Sequence, residues 1–458
     1  MKHEQTYYDE IKEKFAEQRD LRLKLRPEGT AQFISDFSGP LEKHAEDPHA
    51  DNITARAAIN DAVEVLFIGG GFSALLTSAR LRQRGIESIR IVERGSDVGG
   101  TWYWNRYPGV ACDVVSYDYL PLLDELDYVP QRHYSQGEEI LNHCKAIARK
   151  YNLYDLAVFQ TTVISTTWLE DEQVWCLKTD RGDTMKEKFV ICANGTLSKP
   201  KLARIAGIES YRGHSFHTSR WDYHYTGQNL DHLNDKVVGI IGTGATAVQA
   251  IPALGKQSKE LYVFQRTPSS IDIRDDWETD QTWANSLQPG WQTVRRNKAI
   301  RQSQPTEKQL QQRRKYNPEE KIQRQENSNI DYMMRIHRRI EQEVDDPVVA
   351  EALKPWYMFM CKRPCFHNEY LATYNRPNVH LIDTQGEGVT EIREQGPIFR
   401  DRQFNLDLLI YATGFEVQKT GIYNKIIGKT GLNLEEKYSS GIQTLFGIHS
   451  AGYPNLFI

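Results

Sequence analysis

The chain has 458 residues, a formal net charge of −4 and a sequence pI of about 6.4. That length buries more than one core. The near-balanced charge leaves no footprint for nucleic acid or an anionic membrane. Six cysteines (Cys112, Cys144, Cys176, Cys192, Cys361 and Cys365) are too sparse for a disulfide scaffold. The Cys361 and Cys365 pair has no second pair at zinc spacing, so no metal is expected. No run of 18 apolar residues exists to span a membrane, and the N-terminus is charged from Lys2 onward, without a signal core. A cytoplasmic protein is expected.

Residues 1–60 are mostly polar. The segment 7–25, rich in Glu, Lys, Arg and Leu, reads as a helix ended by Pro27 and Gly29. The rest of this extension is either laid over a core or a mobile tail. Residues 63–68 (VEVLFI) read as a strand, and Gly69-Gly70-Gly71 then Phe72-Ser73-Ala74 read as a glycine turn opening a helix. Glycines let the backbone approach a pyrophosphate, which the helix N-terminus attracts. Ala74 stands where a third glycine often packs helix against strand. The strand 89–92 ends on Glu93, 24 residues after Gly69, where a carboxylate accepts hydrogen bonds from ribose hydroxyls.

Residues 99–113 read GGTWYWNRYPGVACD. They suit either a core loop or a loop covering a flat cofactor ring, and Asp113 either a turn residue or a chemical group. The segment 163–179 suggests a hairpin, and 189–193 (FVICA) a buried strand returning to the first sheet.

The strand–turn–helix pattern then repeats. Residues 237–241 form a strand, Gly242-Thr243-Gly244-Ala245-Thr246 the turn and helix start, and 261–265 the next strand. That strand ends on Arg266, again 24 residues after the first glycine, with Thr267 beyond it. Glu93 suits a free ribose, as in FAD. Arg266 suits a 2′-phosphate, as in NADPH. Residues 269–360 read as helices with a solvated face. The basic cluster 313–315 is balanced by Glu319, Glu320 and Glu326. Lys362-Arg363-Pro364 follows. The apolar run 406–412 (LDLLIYA) is expected to re-enter the first sheet, and 454–458 reads as a further strand.

Between the two copies lies YRGHSFHTSRWD, residues 211–222. Tyr211, Gly213, His217, Trp221 and Asp222 carry a signature that resembles that of class B flavoprotein monooxygenases, specifically the Baeyer–Villiger branch. The usual first aromatic is Phe, and the Trp-Asp end favours this branch over the related N- and S-oxygenases. The resemblance covers about residues 62–458. It implies an α/β fold of two Rossmann-like, glutathione-reductase-like domains, the second inserted in the first, plus a helical subdomain. The implied division is an extension 1–60, an FAD part 61–198 and 405–458, a signature linker 199–230, an NADPH part 231–268 and 361–404, and a helical part 269–360.

The family's roles carry over residue by residue. Arg363 is implied as the catalytic arginine beside the flavin and Asp113 as its carboxylate partner. Gly69, Gly71, Phe72, Ser73, Ala74, Glu93, Gly100, Thr101, Trp102, Trp104, Tyr107, Asp113 and Tyr119 are implied around FAD. Gly242, Thr243, Gly244, Ala245, Thr246, Arg266, Thr267 and Lys362 are implied around NADPH. His217 is similar to the signature histidine, with a structural, domain-coupling role. The implied reaction uses NADPH and O2 to insert one oxygen beside a ketone carbonyl through a C4a-peroxyflavin, giving an ester or lactone. An N- or S-oxygenase and a truncated, inactive nucleotide-binding protein stand as alternatives, the latter because family members continue past the Pro-Asn-Leu-Phe strand. A disulfide reductase is disfavoured, since Cys112 has no redox partner nearby in sequence. The extension is similar to that of fungal members acting on bulky or polycyclic ketones. Substrate and oligomeric state are not legible in the sequence.

Overall fold

The computed structural model describes residues 2–25, 32–50, 52–53, 55–314, 317–417 and 420–458. The expected helix stop at Pro27 and Gly29, and Lys315 of the basic cluster, lie outside them.

Among the described residues, the long apolar runs fall mainly in the two largest of five sheets. In the larger, Asn60–Ile68 lies between Ile89–Val92 and Thr184–Cys192 and is parallel to both. Leu66 and Phe67 are fully buried, as a strand covered on both faces requires. The expected hairpin is present: Val163–Leu169 pairs antiparallel with Val174–Thr179, which continues the sheet from Thr184–Cys192. Ile426–Ile427 and Leu456–Phe457 also join this sheet, the latter on the expected C-terminal strand.

The second sheet is wholly parallel, in the order Val379–Asp383, Glu260–Gln265, Val237–Ile241, Leu408–Tyr411, His214–His217. Two expectations change here. The run 406–412 does not enter the first sheet; Leu408–Tyr411 pairs with Val237–Ile241 instead. The chain returns to the first sheet only afterwards, through Ile426–Ile427 and Leu456–Phe457. The signature segment is also more than a connector, because His214–His217 is the edge strand of the second sheet.

The two sheets are built alike. Gly69 has φ +106° and Gly242 has φ +112°, the left-handed region that favours glycine. A Cβ on Gly69 would lie 2.6 Å from the Ala193 carbonyl oxygen, and one on Gly242 2.6 Å from that of Ala412. Thus Leu408–Tyr411 is the structural counterpart of Thr184–Cys192. Each ends beside the glycine turn of its own sheet.

Among the described residues, five helices occupy the expected helical region, the longest being Pro318–Glu343. Asn317 and Glu320 form a capping box at its start. Ile336 and Ile340 of this helix enter the core of the second sheet, while Ile330, Met333 and Met334 pack against Phe15. The N-terminal helix Lys2–Lys24 is therefore laid on the helical region. Residues 39–50 are laid over the join of the two sheets: buried His44 meets Tyr411 edge-on, and Asp47 accepts a hydrogen bond from Tyr103. Among the described residues no helix is long and apolar enough to cross a membrane, and no His, Cys, Asp or Glu cluster suits a metal.

Candidate active site

Each glycine turn opens directly into a helix. Phe72–Gln83 starts from Gly71, and Ala245–Gln257 from Gly244; neither first turn has a side-chain cap. Both therefore offer backbone N–H groups to a pyrophosphate. A Cβ on Gly244 would meet nothing within 4 Å, whereas Gly71 and Gly100 approach so closely that a Cβ on Gly100 would lie 2.8 Å from the Gly71 Cα. The GGTWYW loop is thereby pressed onto the first turn.

A cavity of about 590 Å³ lies over the first turn. Gly69, Gly71, Phe72, Ser73, Glu93, Gly100, Thr101, Trp102, Trp104 and Tyr119 all line it. Glu93 is buried, and its two carboxylate oxygens accept from the Gly70 and Gly95 N–H groups at 2.6 Å each. Burial nonetheless raises its pKa, the backbone donors opposing it. The Trp102 indole N–H donates to the Tyr119 hydroxyl at 2.9 Å, which fixes one aromatic wall. Trp104 is held between two cations, with the Arg220 and Arg94 guanidinium carbons 4.0 and 4.7 Å from ring centroids. Burial lowers the pKa of Arg220 to about 9.

A second cavity of about 480 Å³ lies over the second turn, lined by Gly242, Thr243, Gly244, Ala245, Arg266, Thr267, Lys362 and Arg363. The Thr243 hydroxyl donates to the Thr267 carbonyl at 3.0 Å, tying the turn to the segment after Arg266.

Four expected cofactor residues line neither cavity. Ala74 is fully buried in its helix, the packing role its third-glycine position implies. Tyr107 is also buried and donates to the Gln249 side-chain oxygen at 2.9 Å, so it joins the loop to the second-sheet helix. Thr246 lies beside that hydroxyl. Asp113 sits between the lobes rather than in the first cavity, and there it does meet Arg363: Nη2 donates to Oδ2 at 3.2 Å across 250 residues of sequence. Arg363 keeps 64% of its side-chain surface exposed, while Asp113 keeps 13%.

Two neighbours were not foreseen. Arg274 donates to the other Asp113 oxygen at 3.2 Å and to the Cys112 carbonyl at 2.6 Å. It comes from a charge-rich segment in which no local pattern marks it out. Gln249 accepts from Tyr107 and donates to the Ala111 carbonyl at 3.1 Å, which anchors the loop before Asp113. Its signal was available, as a lone amide in the apolar helix sequence ATAVQAIPAL.

The signature residues are tied into the second sheet and its core. Tyr211 donates to the Leu406 carbonyl at 3.0 Å, and a Cβ on Gly213 would collide with its ring. His217 is fully buried. Its Nδ1 accepts from the Ser219 N–H at 3.2 Å, so Nε2 is the protonated nitrogen and donates to the Gly414 carbonyl at 3.1 Å. Burial lowers its pKa to about 3, and it stays neutral at physiological pH. Trp221 is fully buried in the second core. Asp222 caps the short helix Tyr223–Thr226 through the His224 and Tyr225 N–H groups and lies 3.0 Å from His214.

Known proteins share this arrangement. A family model described as pyridine nucleotide-disulphide oxidoreductase matches residues 66–329. Neopentalenolactone D synthase of Streptomyces avermitilis is 43% identical over 479 residues, spanning 98% of this chain and 80% of that protein. A Baeyer-Villiger monooxygenase of Stachybotrys chlorohalonatus is 41% identical, spanning 98% and 76%. The polycyclic ketone monooxygenase from the thermophilic fungus Thermothelomyces thermophila superposes with a TM-score of 0.87 at 32% identity, covering 98% of this chain and 81% of that one. OTEMO in complex with FAD and NADP superposes with a TM-score of 0.76 at 30% identity, covering 86% and 79%. With these relatives, and with two uncapped glycine turns facing two cavities, the chain belongs to the Baeyer–Villiger monooxygenases, flavoenzymes that use FAD and NADPH.

Proposed function

We propose that this chain inserts one oxygen atom from O2 beside the carbonyl of a bulky, polycyclic ketone in the cytoplasm. The observation that carries the reading is the Arg363–Asp113–Arg274 cluster, whose Arg363 lines the second cavity. When bound, FAD would take a hydride from NADPH and deliver activated oxygen to the ketone.

FAD would be held by the Gly69–Gly71 turn, by Glu93 at the adenosine ribose and by the walls formed by Trp102, Trp104 and Tyr119. NADPH would be held by the Gly242–Gly244 turn, with Arg266, Lys362 and Thr267 at the 2′-phosphate. Arg363 is the catalytic residue of this reading. Its guanidinium stabilises negative charge on oxygen during attack on the carbonyl and never gives up its own proton. Asp113 orients that guanidinium. Arg274 and the Cys112 carbonyl in turn fix Asp113, so one carboxylate is shared by two cations. His217 holds the edge strand to the turn after Ala412. The strand pairing supports a flavin part of residues 61–198 with the segment after 420, a nicotinamide part of 199–268 with 361–414, and a helical part between.

The polycyclic substrate class is supported by the neighbour named for such ketones, which covers 98% of this chain, extension included. Absorbance of the purified chain tests the reading: flavin colour should bleach with NADPH under nitrogen, and air should return it with oxygenation of a polycyclic ketone. Return of colour with hydrogen peroxide as the sole product, across a panel of ketones, would defeat it.

A further inference from the structure

The strands Glu260–Gln265 and Val379–Asp383 are parallel neighbours, with Gln265 opposite Asp383. In open parallel sheets a nucleotide lies outside the carboxyl ends of the strands. A cavity of about 890 Å³ occupies that place, with Arg266, Thr267, Asp383 and Gln385 on its sheet side. Its opposite wall comes from outside both lobes: Lys14, Gln18 and Arg22 of the N-terminal helix Lys2–Lys24. Four-residue spacing puts these three on one stripe of the helix.

The stripe is fixed in place. Phe15 is buried against Ile330, Met333 and Tyr357, and the Tyr8 hydroxyl donates to Asp331 at 3.0 Å. Arg22 Nη1 donates to the Trp356 carbonyl at 3.4 Å, and its guanidinium carbon lies 6.0 Å from the Tyr357 ring centroid. Tyr357 donates to the Pro268 carbonyl at 3.1 Å, two residues beyond Arg266. One short chain of contacts therefore sets Arg22 relative to Arg266. The ammonium groups of Lys14 and Lys354 lie 3.9 and 2.8 Å from Glu351. Arg22 also carries the planar fork that matches a phosphate.

We propose that the N-terminal extension is part of the NADPH site, with Arg22 reading the 2′-phosphate from the side opposite Arg266. The extension then sets cofactor choice as well as covering the fold. This rests on Arg266 being the phosphate reader of the second lobe, and the test separates the two claims. In the full-length flavoprotein, binding of 2′,5′-ADP and of 5′-AMP is measured by calorimetry for the wild type, Arg22→Ala, Arg22→Lys and Arg266→Ala. The NADPH-to-NADH ratio of kcat/KM is measured alongside. Arg22→Ala is expected to weaken 2′,5′-ADP roughly tenfold, the size of one charge-assisted contact. It should leave 5′-AMP unchanged and narrow the ratio, and Arg22→Lys should restore part of both. Equal weakening of the two probes, or weakening of neither, with Arg266→Ala still selective, overturns the role of the extension alone. Indifference of Arg266→Ala to the phosphate overturns both claims.

Discussion

The two lobes are one design executed twice, and their differences separate backbone requirements from chemical choices. Both have a central strand, a glycine at φ above +100°, an uncapped helix start and a neighbouring strand that ends on alanine at the turn. These are demands of steric fit and would hold for any dinucleotide. The differences are polar. At the end of the second strand stands Glu93 in one lobe and Arg266 in the other. Six residues before the alanine, the first lobe buries Glu187 on its strand, and the second has Leu406 just ahead of its strand. The same backbone thus carries opposite charge at the end of the second strand of each lobe, the difference on which the proposed assignment of FAD and NADPH rests.

Removing what only the junction supplies should have the largest effect. Arg363→Ala is expected to lower ketone oxygenation by roughly 10²-fold or more, as for loss of a preorganised charge at a developing oxyanion. Anaerobic flavin reduction by NADPH, followed by stopped-flow absorbance, should remain measurable. Wild-type product formation in that variant would sink the assignment of Arg363.

The shared backbone can be broken one lobe at a time. Gly69→Ala forces a Cβ against the Ala193 carbonyl, and Gly242→Ala one against that of Ala412. Strain of about 1–3 kcal/mol is expected at each. The first variant should purify with less FAD. The second should retain FAD yet raise the KM for NADPH. If both variants lost FAD equally, the assignment of one cofactor to each lobe would be wrong.

Exchange of the terminal charge should be milder. Arg266→Ala is expected to narrow the preference for NADPH over NADH by roughly ten- to a hundredfold. An unaltered cofactor ratio would show that the shared spacing does not identify the phosphate reader.

A further effect concerns the buried carboxyl and is read in stability rather than in activity. Glu187 is 1% exposed, and neither carboxyl oxygen has a hydrogen-bond partner among the described residues. Burial, with Asp61 adding to it, raises its pKa to about 9. The folded state therefore holds a proton that the unfolded chain releases above the ordinary carboxyl range. Between that range and about pH 9, stability falls as pH rises, by at most about 1.4 kcal/mol per unit. Glu187→Gln should raise Tm more at pH 8.5 than at pH 5. Parallel Tm profiles for variant and wild type would show that the folded state does not hold that proton on Glu187.

Much of the first-lobe wall was legible because its signals are local. Glycine spacing, an acid at a strand end and a run of aromatics each constrain a few neighbouring residues, and most of them line the first cavity. What failed was pairing over long distance. The run 406–412 reads as a buried strand in either sheet, since apolarity alone carries no address. The resemblance between FVICANG and LLIYATG marks its partner, since each stretch leads to the turn beside its own sheet's first glycine. Tyr107, implied as a cofactor contact by the resemblance, gives its hydroxyl proton to Gln249.

Sequence by itself determined the two nucleotide turns, their opposite terminal charges, the family signature and the pairing of Arg363 with Asp113 that the resemblance implied. Only the tertiary structure decided that Arg274 shares Asp113, that the signature supplies an edge strand, and that the N-terminal helix walls the cavity beside Arg266. The division has a physical cause. Backbone turns and charge types act within a few residues, so they are written locally. Shared carboxylates and cavity walls arise only when distant segments are packed together, and nothing in a local pattern records which segments will meet.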